Sequence, residues 1–224
     1  EASAHDEPLP PLCTNWYIDV MKTSIATVSV SGSLVEKLHA CAAAGFDGVE
    51  IFEPDLIAAD QSPEEIRALA QRLGLALYLY QPLRDIEGVS EARFVDNLRR
   101  ADATFATAAR LGIDTVLVCS NVATATIDDD AVSADQLRRV GDLAAAHGLR
   151  IAFEALAWGR FVDDYRRSWR IVELADHPAV GLCLDSFHVL SRGHDPSATL
   201  AATSAAPSTA PTSPKPSPPS SASA

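Results

Sequence analysis

Two carboxylates, Glu154 and Asp185, each end a short apolar run, in the segments IAFEAL and GLCLDSFH. At the tips of neighbouring buried strands two such acids repel each other unless something positive lies between them. Hard oxygen ligands suit a divalent cation such as Mg²⁺ or Mn²⁺, which acts as a Lewis acid toward a substrate carbonyl. The alternative is that each acid forms a buried ion pair with an arginine. The residue types therefore predict a divalent metal site at Glu154 and Asp185.

Two more side chains near these motifs are candidates for chemistry. His188 lies three residues after Asp185, on the predicted loop that leaves the last strand, within reach as a general base or a substrate contact. The alternative is a solvated loop histidine. Arg84, in YQPLRDIEG, is a candidate for binding a substrate carboxylate through two parallel hydrogen bonds. It has an alternative partner in Asp85 or Glu87, and the sequence leaves both choices open.

A repeated junction shows which elements position these residues. The segments AAAGFDGVEI, QRLGLALYL, ARLGIDTVLV and AAHGLRIAF each end a helix, turn at a glycine and begin an apolar strand. The helix ends are predicted at Gly45, Gly74, Gly112 and Gly148, where glycine accepts a left-handed cap. The helix starts are predicted at three capping boxes: Ser33 with Glu36, Ser62 with Glu65, and Ser133 with Gln136. Strands and helices therefore alternate along the chain.

The predicted strands are near-continuous apolar runs, as expected for a parallel sheet covered on both faces. They lie at 24–30, 48–52, 76–82, 115–120, 150–156 and 180–186. Alternation of this kind leaves two candidates, a doubly wound open sheet and a (β/α)8 barrel.

The polar residues at strand ends favour the barrel. No glycine-rich phosphate-binding motif follows any strand, although open sheets commonly carry one. Barrel enzymes place their chemistry at the carboxyl ends of several strands. Here such ends carry Glu50, Gln81, Ser120 with Asn121, Glu154 and Asp185. The alternative is that strand ends are polar because they reach solvent.

The count of strands predicts an incomplete barrel of the α/β class. About six βα units fit between residues 21 and 195, whereas a closed barrel has eight. Residues 196–224 are rich in Pro, Ser, Thr and Ala, and residues 1–20 are acidic and contain three prolines. Both segments are expected to be disordered because they bury little apolar area. The first and last strands should then expose unpaired edges, through which the chain can self-associate.

Composition narrows the class of partner. The formal charge of −12 argues against a nucleic acid or a membrane surface, since phosphate binding needs clustered Lys and Arg. A small-molecule ligand is the better expectation. The four cysteines are widely spaced and are interpreted as buried thiols in a reducing compartment. No apolar run reaches membrane-spanning length, so we expect a cytoplasmic protein.

Three motifs in order, YQPLRDIEG, IAFEALAWGR and DHPAVGLCLDSFH, resemble the bacterial 3-dehydroshikimate dehydratases of the xylose-isomerase-like (β/α)8 superfamily. The resemblance implies elimination of water from 3-dehydroshikimate to give protocatechuate, with Mg²⁺, Mn²⁺ or Co²⁺ as cofactor. It implies metal binding by Glu154 and Asp185 and a carboxylate contact from Arg84. It also implies that Glu50 and His188 line the pocket as catalytic residues and that Gln81 binds the substrate.

The resemblance also predicts a deficit. The family completes its metal shell with a Gln and a Glu from later strands, which lie beyond the six units counted here. We therefore expect weak metal binding and impaired activity. Two alternatives remain open: a sugar isomerase or epimerase on the same scaffold, and a non-catalytic fragment that pairs its open edges with another chain.

Overall fold

A computed structural model describes residues 22–204 of the chain. The predictions for residues 1–20 and 205–224 lie outside this range. The strands are β1 (Ser24–Ala26), β2 (Gly48–Phe52), β3 (Ala76–Leu83), β4 (Thr115–Cys119), β5 (Arg150–Glu154) and β6 (Val180–Cys183). The helices are α1 (Leu34–Ala43), α2 (Glu53–Ile57), α3 (Pro63–Leu73), α4 (Glu91–Leu111), α5 (Asp130–Ala146), α6 (Tyr165–Ala175), α7 (Ser186–Ser191) and α8 (Pro196–Ser204). Within residues 22–204, none of these helices is both long and apolar enough to cross a membrane.

The six strands form one sheet in the order β1-β2-β3-β4-β5-β6, and every neighbouring pair is parallel. A doubly wound sheet reverses its strand order at a switch point, which this sheet does not do. Sequential order is the order of a (β/α)8 barrel, so the predicted α/β class and barrel arrangement are confirmed. Among the described residues, β1 and β6 each pair with one neighbouring strand.

The sheet is buried on both faces. On the helix side, Val116, Val118, Ile151 and Phe153 are at most 1% exposed and pack among the helices. On the opposite face, alternate residues of the same strands form a smaller cluster around Leu117. Because strand side chains alternate between faces, one apolar run supplies both clusters.

Local sequence explains most of the helix ends. The capping boxes at Ser33 and Ser62 are both present, as predicted. The four predicted glycines have φ values between 72° and 82°, in the left-handed region. The third predicted capping box is wrong. Helix α5 begins at Asp130, and Asp129 caps it by accepting hydrogen bonds from the N–H groups of Ala131 and Val132. Ser133 and Gln136 lie inside that helix.

Several boundaries differ from prediction. Strand β1 ends at Ala26 instead of residue 30, because Thr27–Ser29 forms a short 3₁₀ helix. Strands β5 and β6 end at Glu154 and Cys183, earlier than expected, because the chain then turns into loops that carry the site. The disorder predicted from residue 196 is wrong for Pro196–Ser204, which is helical. Asp195 caps this helix by accepting from the N–H groups of Ser197 and Ala198. A favourable cap and a Pro in the first turn outweigh the composition there.

Candidate metal centre and active site

Three of the predicted site residues converge at the carboxyl end of the sheet. Glu154 is the last residue of β5, Asp185 follows β6 by two residues, and His188 lies on α7. One ligand atom from each lies within 4.8 Å of the other two. Parallel strands end at the same edge, so neighbouring strands bring these side chains together although 31 residues separate Glu154 from Asp185.

Asp185 has a second task, because it caps helix α7. Its Oδ1 atom accepts a hydrogen bond of 2.6 Å from the N–H group of Phe187. The cap starts a helix where the sequence predicted a loop, so His188 lies in the first turn of α7. Asp-Ser before an apolar run is a helix-start pattern that would have predicted this. Within residues 22–204, Oδ2 of Asp185 accepts no hydrogen bond from another side chain or from the backbone.

A hydrogen bond from the backbone defines the tautomer of the neutral His188 ring. The Nδ1 atom of His188 accepts from the N–H group of Ala157 at 3.2 Å. A backbone N–H must meet a lone pair, so the neutral ring carries its proton on Nε2. In that state Nε2 offers a donor and has no lone pair for a cation or for abstracting a proton. His188 is therefore a hydrogen-bond donor to whatever occupies the site.

Trp158 covers the same ring. The centroids of Trp158 and His188 lie 4.9 Å apart in an edge-on arrangement. The His188 residue is only 9% exposed, so the alternative of a solvated loop histidine is wrong.

Glu154 is in an electrostatically unfavourable position without a cation. It is 6% exposed, and burial, followed by the charges of Asp185 and Glu50, raises its pKa to about 7. A hydrogen bond from Cys119 and, from a distance, the charge of Arg84 lower the pKa of Glu154, but they do not reverse the increase. A crowded, partly buried set of carboxylate oxygens fits a hard divalent cation, which supplies the missing positive charge.

Glu50 and Gln81 form a pair on the neighbouring strands. Gln81 donates from Nε2 to Oε2 of Glu50 at 2.7 Å. Burial raises the pKa of Glu50, and Asp185 adds to the effect. The contact orients Glu50, the middle residue of β2, which lines the same cavity as Glu154, Asp185 and His188.

Arg84 lies just after β3 and is exposed. Its two nearby acids are engaged elsewhere: Asp85 accepts from the N–H groups of Val122 and Ala123, and Glu87 accepts from that of Asn121. The alternative pairing of Arg84 with either acid is therefore wrong. Within residues 22–204 its guanidinium forms no ion pair, which leaves it available to an anionic ligand.

One cavity joins all six predicted residues. It has a volume of ≈ 600 Å³, and its lining includes Glu50, Gln81, Arg84, Glu154, Asp185 and His188. A larger cavity, of ≈ 760 Å³, lies beside α2, α3 and α4, with Arg84 at its border. The acids of that second cavity have partners, since Glu53 accepts from the Tyr80 hydroxyl and Asp85 from backbone amides. The crowded carboxylates therefore mark the smaller cavity as the site.

Two cysteines of this cavity were not predicted as site residues. Cys119 and Cys183 both line it, and both thiols contact Glu154. Cys119 ends β4 just as Glu154 ends β5, so alignment of the strand ends would have found it.

The xylose isomerase-like TIM-barrel family model matches residues 38–209. The chain belongs to the xylose isomerase-like TIM-barrel family. Two curated relatives of this chain are named 3-dehydroshikimate dehydratases, one from Pseudomonas putida and one from Pseudomonas aeruginosa. They are 53% identical over 178 and 176 residues, which cover 80% and 79% of this chain. The chain spans 28% of the length of each relative.

This xylose isomerase-like chain is also similar to a protein of known structure. A xylose isomerase-like TIM barrel/4-hydroxyphenylpyruvate dioxygenase fusion protein matches it with a TM-score of 0.76 and 53% sequence identity. The match covers 80% of this chain and 29% of the fusion protein.

Proposed function

We propose that this chain supplies the residues that eliminate water from 3-dehydroshikimate, a reaction that gives protocatechuate and makes the protein a lyase. The observation that supports this proposal is the convergence of Glu154, Asp185 and His188: one side-chain oxygen or ring nitrogen of each lies within 4.8 Å of those of the other two. The relatives that are 53% identical and named 3-dehydroshikimate dehydratases support the choice of substrate.

Glu154 and Asp185 are the proposed ligands of a divalent cation, Mg²⁺, Mn²⁺ or Co²⁺. When bound, such a cation polarises the ketone oxygen of the substrate and makes a proton on the adjacent carbon acidic. Glu154 is fixed at the end of a buried strand and Asp185 by its cap on α7, so both oxygen donors are held before a cation arrives.

His188 donates a hydrogen bond from Nε2 to the substrate oxygen on which negative charge develops. A neutral imidazole in this tautomer serves as an electrophile, and no proton need leave it. This role replaces the general base that the sequence suggested, because the contact with Ala157 occupies Nδ1.

Glu50 is the proposed base. Its carboxylate takes the proton from the carbon beside the ketone and returns it to the hydroxyl that leaves the next carbon, which releases one water. Transfer of a ring hydrogen to the ketone oxygen then gives the aromatic diol. Gln81 holds Glu50 for this task through its 2.7 Å hydrogen bond.

Arg84 is the proposed contact for the substrate carboxylate. It borders the cavity and has no carboxylate partner within residues 22–204. A planar guanidinium binds a carboxylate through two charged hydrogen bonds. An uncharged ketose has no group for it, so Arg84 separates the dehydratase proposal from an isomerase or epimerase on the same scaffold.

The test compares Arg84→Ala with Arg93→Ala, a matched change at an exposed arginine of α4. With Mn²⁺ present, 3-dehydroshikimate binding is measured by calorimetry and protocatechuate formation by its ultraviolet absorbance. We expect Arg84→Ala to weaken substrate binding by roughly 10- to 100-fold, since it removes a paired charged contact, and Arg93→Ala to leave it unchanged. Equal affinity in both variants, or binding of an uncharged ketose in preference to 3-dehydroshikimate, contradicts the proposal.

We also infer a cytoplasmic location and self-association through the edges of β1 and β6. Free thiols at Cys41, Cys119 and Cys183 support a reducing compartment. Strand edges carry N–H and C=O groups that pair readily with another chain. Analytical ultracentrifugation tests the association: we expect a species heavier than one chain, and a stable monomer at high concentration contradicts it.

A further inference from the structure

Two thiols flank Glu154 in one row of the sheet. The strand register aligns Cys119 of β4 with Glu154 of β5, and Glu154 with Cys183 of β6. Residues level with one another in neighbouring strands point to the same face. All three therefore face the cavity, and all three line it.

Each thiol contacts a different oxygen of Glu154. The Sγ atom of Cys119 lies 3.5 Å from Oε2, and the Sγ atom of Cys183 lies 3.9 Å from Oε1. An ionised carboxylate can only accept, so in both contacts the S–H group is the donor and Glu154 is the acceptor. Two weak donors on opposite oxygens oppose rotation of the carboxylate about its last side-chain bond.

We propose that Cys119 and Cys183 are positioning residues that hold the Glu154 carboxylate toward Asp185 and so strengthen its binding of a divalent cation. This inference rests on the proposed metal centre. Neighbours that orient a ligand commonly affect metal affinity without touching the cation. The competing explanation is that the thiols only fill space, since Cys119 also packs against Leu117 and Leu156.

The first test needs no metal. The infrared S–H stretching bands of Cys119 and Cys183 are assigned from difference spectra of the single Cys→Ala variants. We expect both bands at lower wavenumber than that of Cys41, a buried thiol of α1 remote from the site. Glu154→Gln should move both bands to higher wavenumber because it removes the charged acceptor, and leave Cys41 unchanged. If the wavenumbers of the Cys119 and Cys183 bands are unchanged in Glu154→Gln, the proposal is overturned.

The second test measures Mn²⁺ affinity by electron paramagnetic resonance. The double variant Cys119→Ala/Cys183→Ala should bind Mn²⁺ roughly 10-fold more weakly. The double Ser variant, which restores two donors, should return to within about 3-fold of the parent chain. Cys41→Ala is the matched control and should bind as the parent does. An Ala double variant with parental affinity, or equal loss in the Ser and Ala variants, overturns the inference.

The two tests separate this inference from the proposed function. If the parent chain binds Mn²⁺ and Glu154→Gln abolishes binding while the cysteine variants bind normally, the metal centre stands and the positioning role fails. If Glu154→Gln leaves Mn²⁺ binding intact, the proposed centre fails and the positioning role fails with it. Urea unfolding of each variant identifies any loss of affinity that comes from a loss of folded protein.

Discussion

The Nδ1 atom of His188 and the backbone N–H of Ala157 lie 3.2 Å apart and share a hydrogen bond. The contact joins helix α7 to the loop after β5, so the two segments that carry Asp185 and Glu154 are tied together. With Nδ1 occupied, the proton of the neutral His188 ring is on Nε2, which can donate a hydrogen bond to a ligand in the cavity. The chemistry assigned to His188 depends on this one contact.

The tautomer of His188 is directly measurable. We expect two-dimensional ¹H–¹⁵N spectra of the imidazole nitrogens to show, for the neutral ring, a protonated Nε2 and an unprotonated Nδ1. His188→Ala identifies the signals by their disappearance. A neutral ring with its proton on Nδ1 contradicts the donor role and restores His188 as a candidate base or metal ligand.

Glu87 should make stability depend on pH. Its side chain is buried, its Oε2 atom has no hydrogen-bond partner among the described residues, and burial raises its pKa to about 7 from 4.5. Between these values the folded chain binds a proton that the unfolded chain has released, so this contribution to the free energy of unfolding falls as pH rises from about 4.5 to 7. The fall should be about 3 kcal/mol.

Urea unfolding at pH 5 and pH 8 checks this prediction, with Glu87→Gln as the comparison. The Gln side chain keeps an oxygen for the N–H group of Asn121 but cannot ionise. The parent should lose more stability than the variant between the two pH values. An identical pH profile for both chains contradicts the buried, proton-holding state of Glu87.

Lys37 and Asp55 form an ion pair that ties α1 to α2. The ammonium lies 2.7 Å from both carboxylate oxygens, and the side chains are 7% and 17% exposed. Asp55→Asn should lower the free energy of unfolding by about 2–3 kcal/mol because it leaves Lys37 charged, buried and without an anion. The double variant Lys37→Met/Asp55→Leu should lose much less than the sum of the single changes. Additive losses in denaturant melts contradict a coupled pair.

The start of helix α5 gives a further prediction. Asp129→Ala should lower the free energy of unfolding by about 1 kcal/mol, since it removes the cap of the helix. Ser133→Ala, the change at the position that the sequence favoured, should cost less than Asp129→Ala, because Ser133 lies inside the helix, where Ala is favoured over Ser. Denaturant melts of the two variants provide the comparison, and a larger loss at Ser133 than at Asp129 contradicts the observed helix start.

The sequence predicted those features that depend on short-range pattern. The glycines at helix ends and the apolar runs that follow them were sufficient to predict the order of the strands. The carboxylates after β5 and β6 were predicted to lie close together because parallel strands end at the same edge of the sheet. The Ser133–Gln136 spacing failed because Asp129 caps the helix four residues earlier and Gln136 binds the backbone of Val89, 47 residues away.

Long-range register accounts for what the sequence could not show. The contact of Cys119 with Glu154 depends on the alignment of β4 with β5, which no local motif encodes. The same holds for Arg84, whose neighbouring acids are engaged by Asn121 and Val122 on the next loop. The short spacing in sequence suggested an ion pair between Arg84 and Asp85 or Glu87, whereas both acids instead accept hydrogen bonds from the backbone of a distant loop.

Anomalous X-ray diffraction from crystals soaked in Mn²⁺ tests the shared cation site most directly. The account predicts one strong anomalous peak between Glu154 and Asp185, at about 2.0–2.6 Å from an oxygen of each, and none at that place in Glu154→Gln. A soaked crystal in which the peak is missing, or in which the cation touches neither carboxylate, contradicts the account.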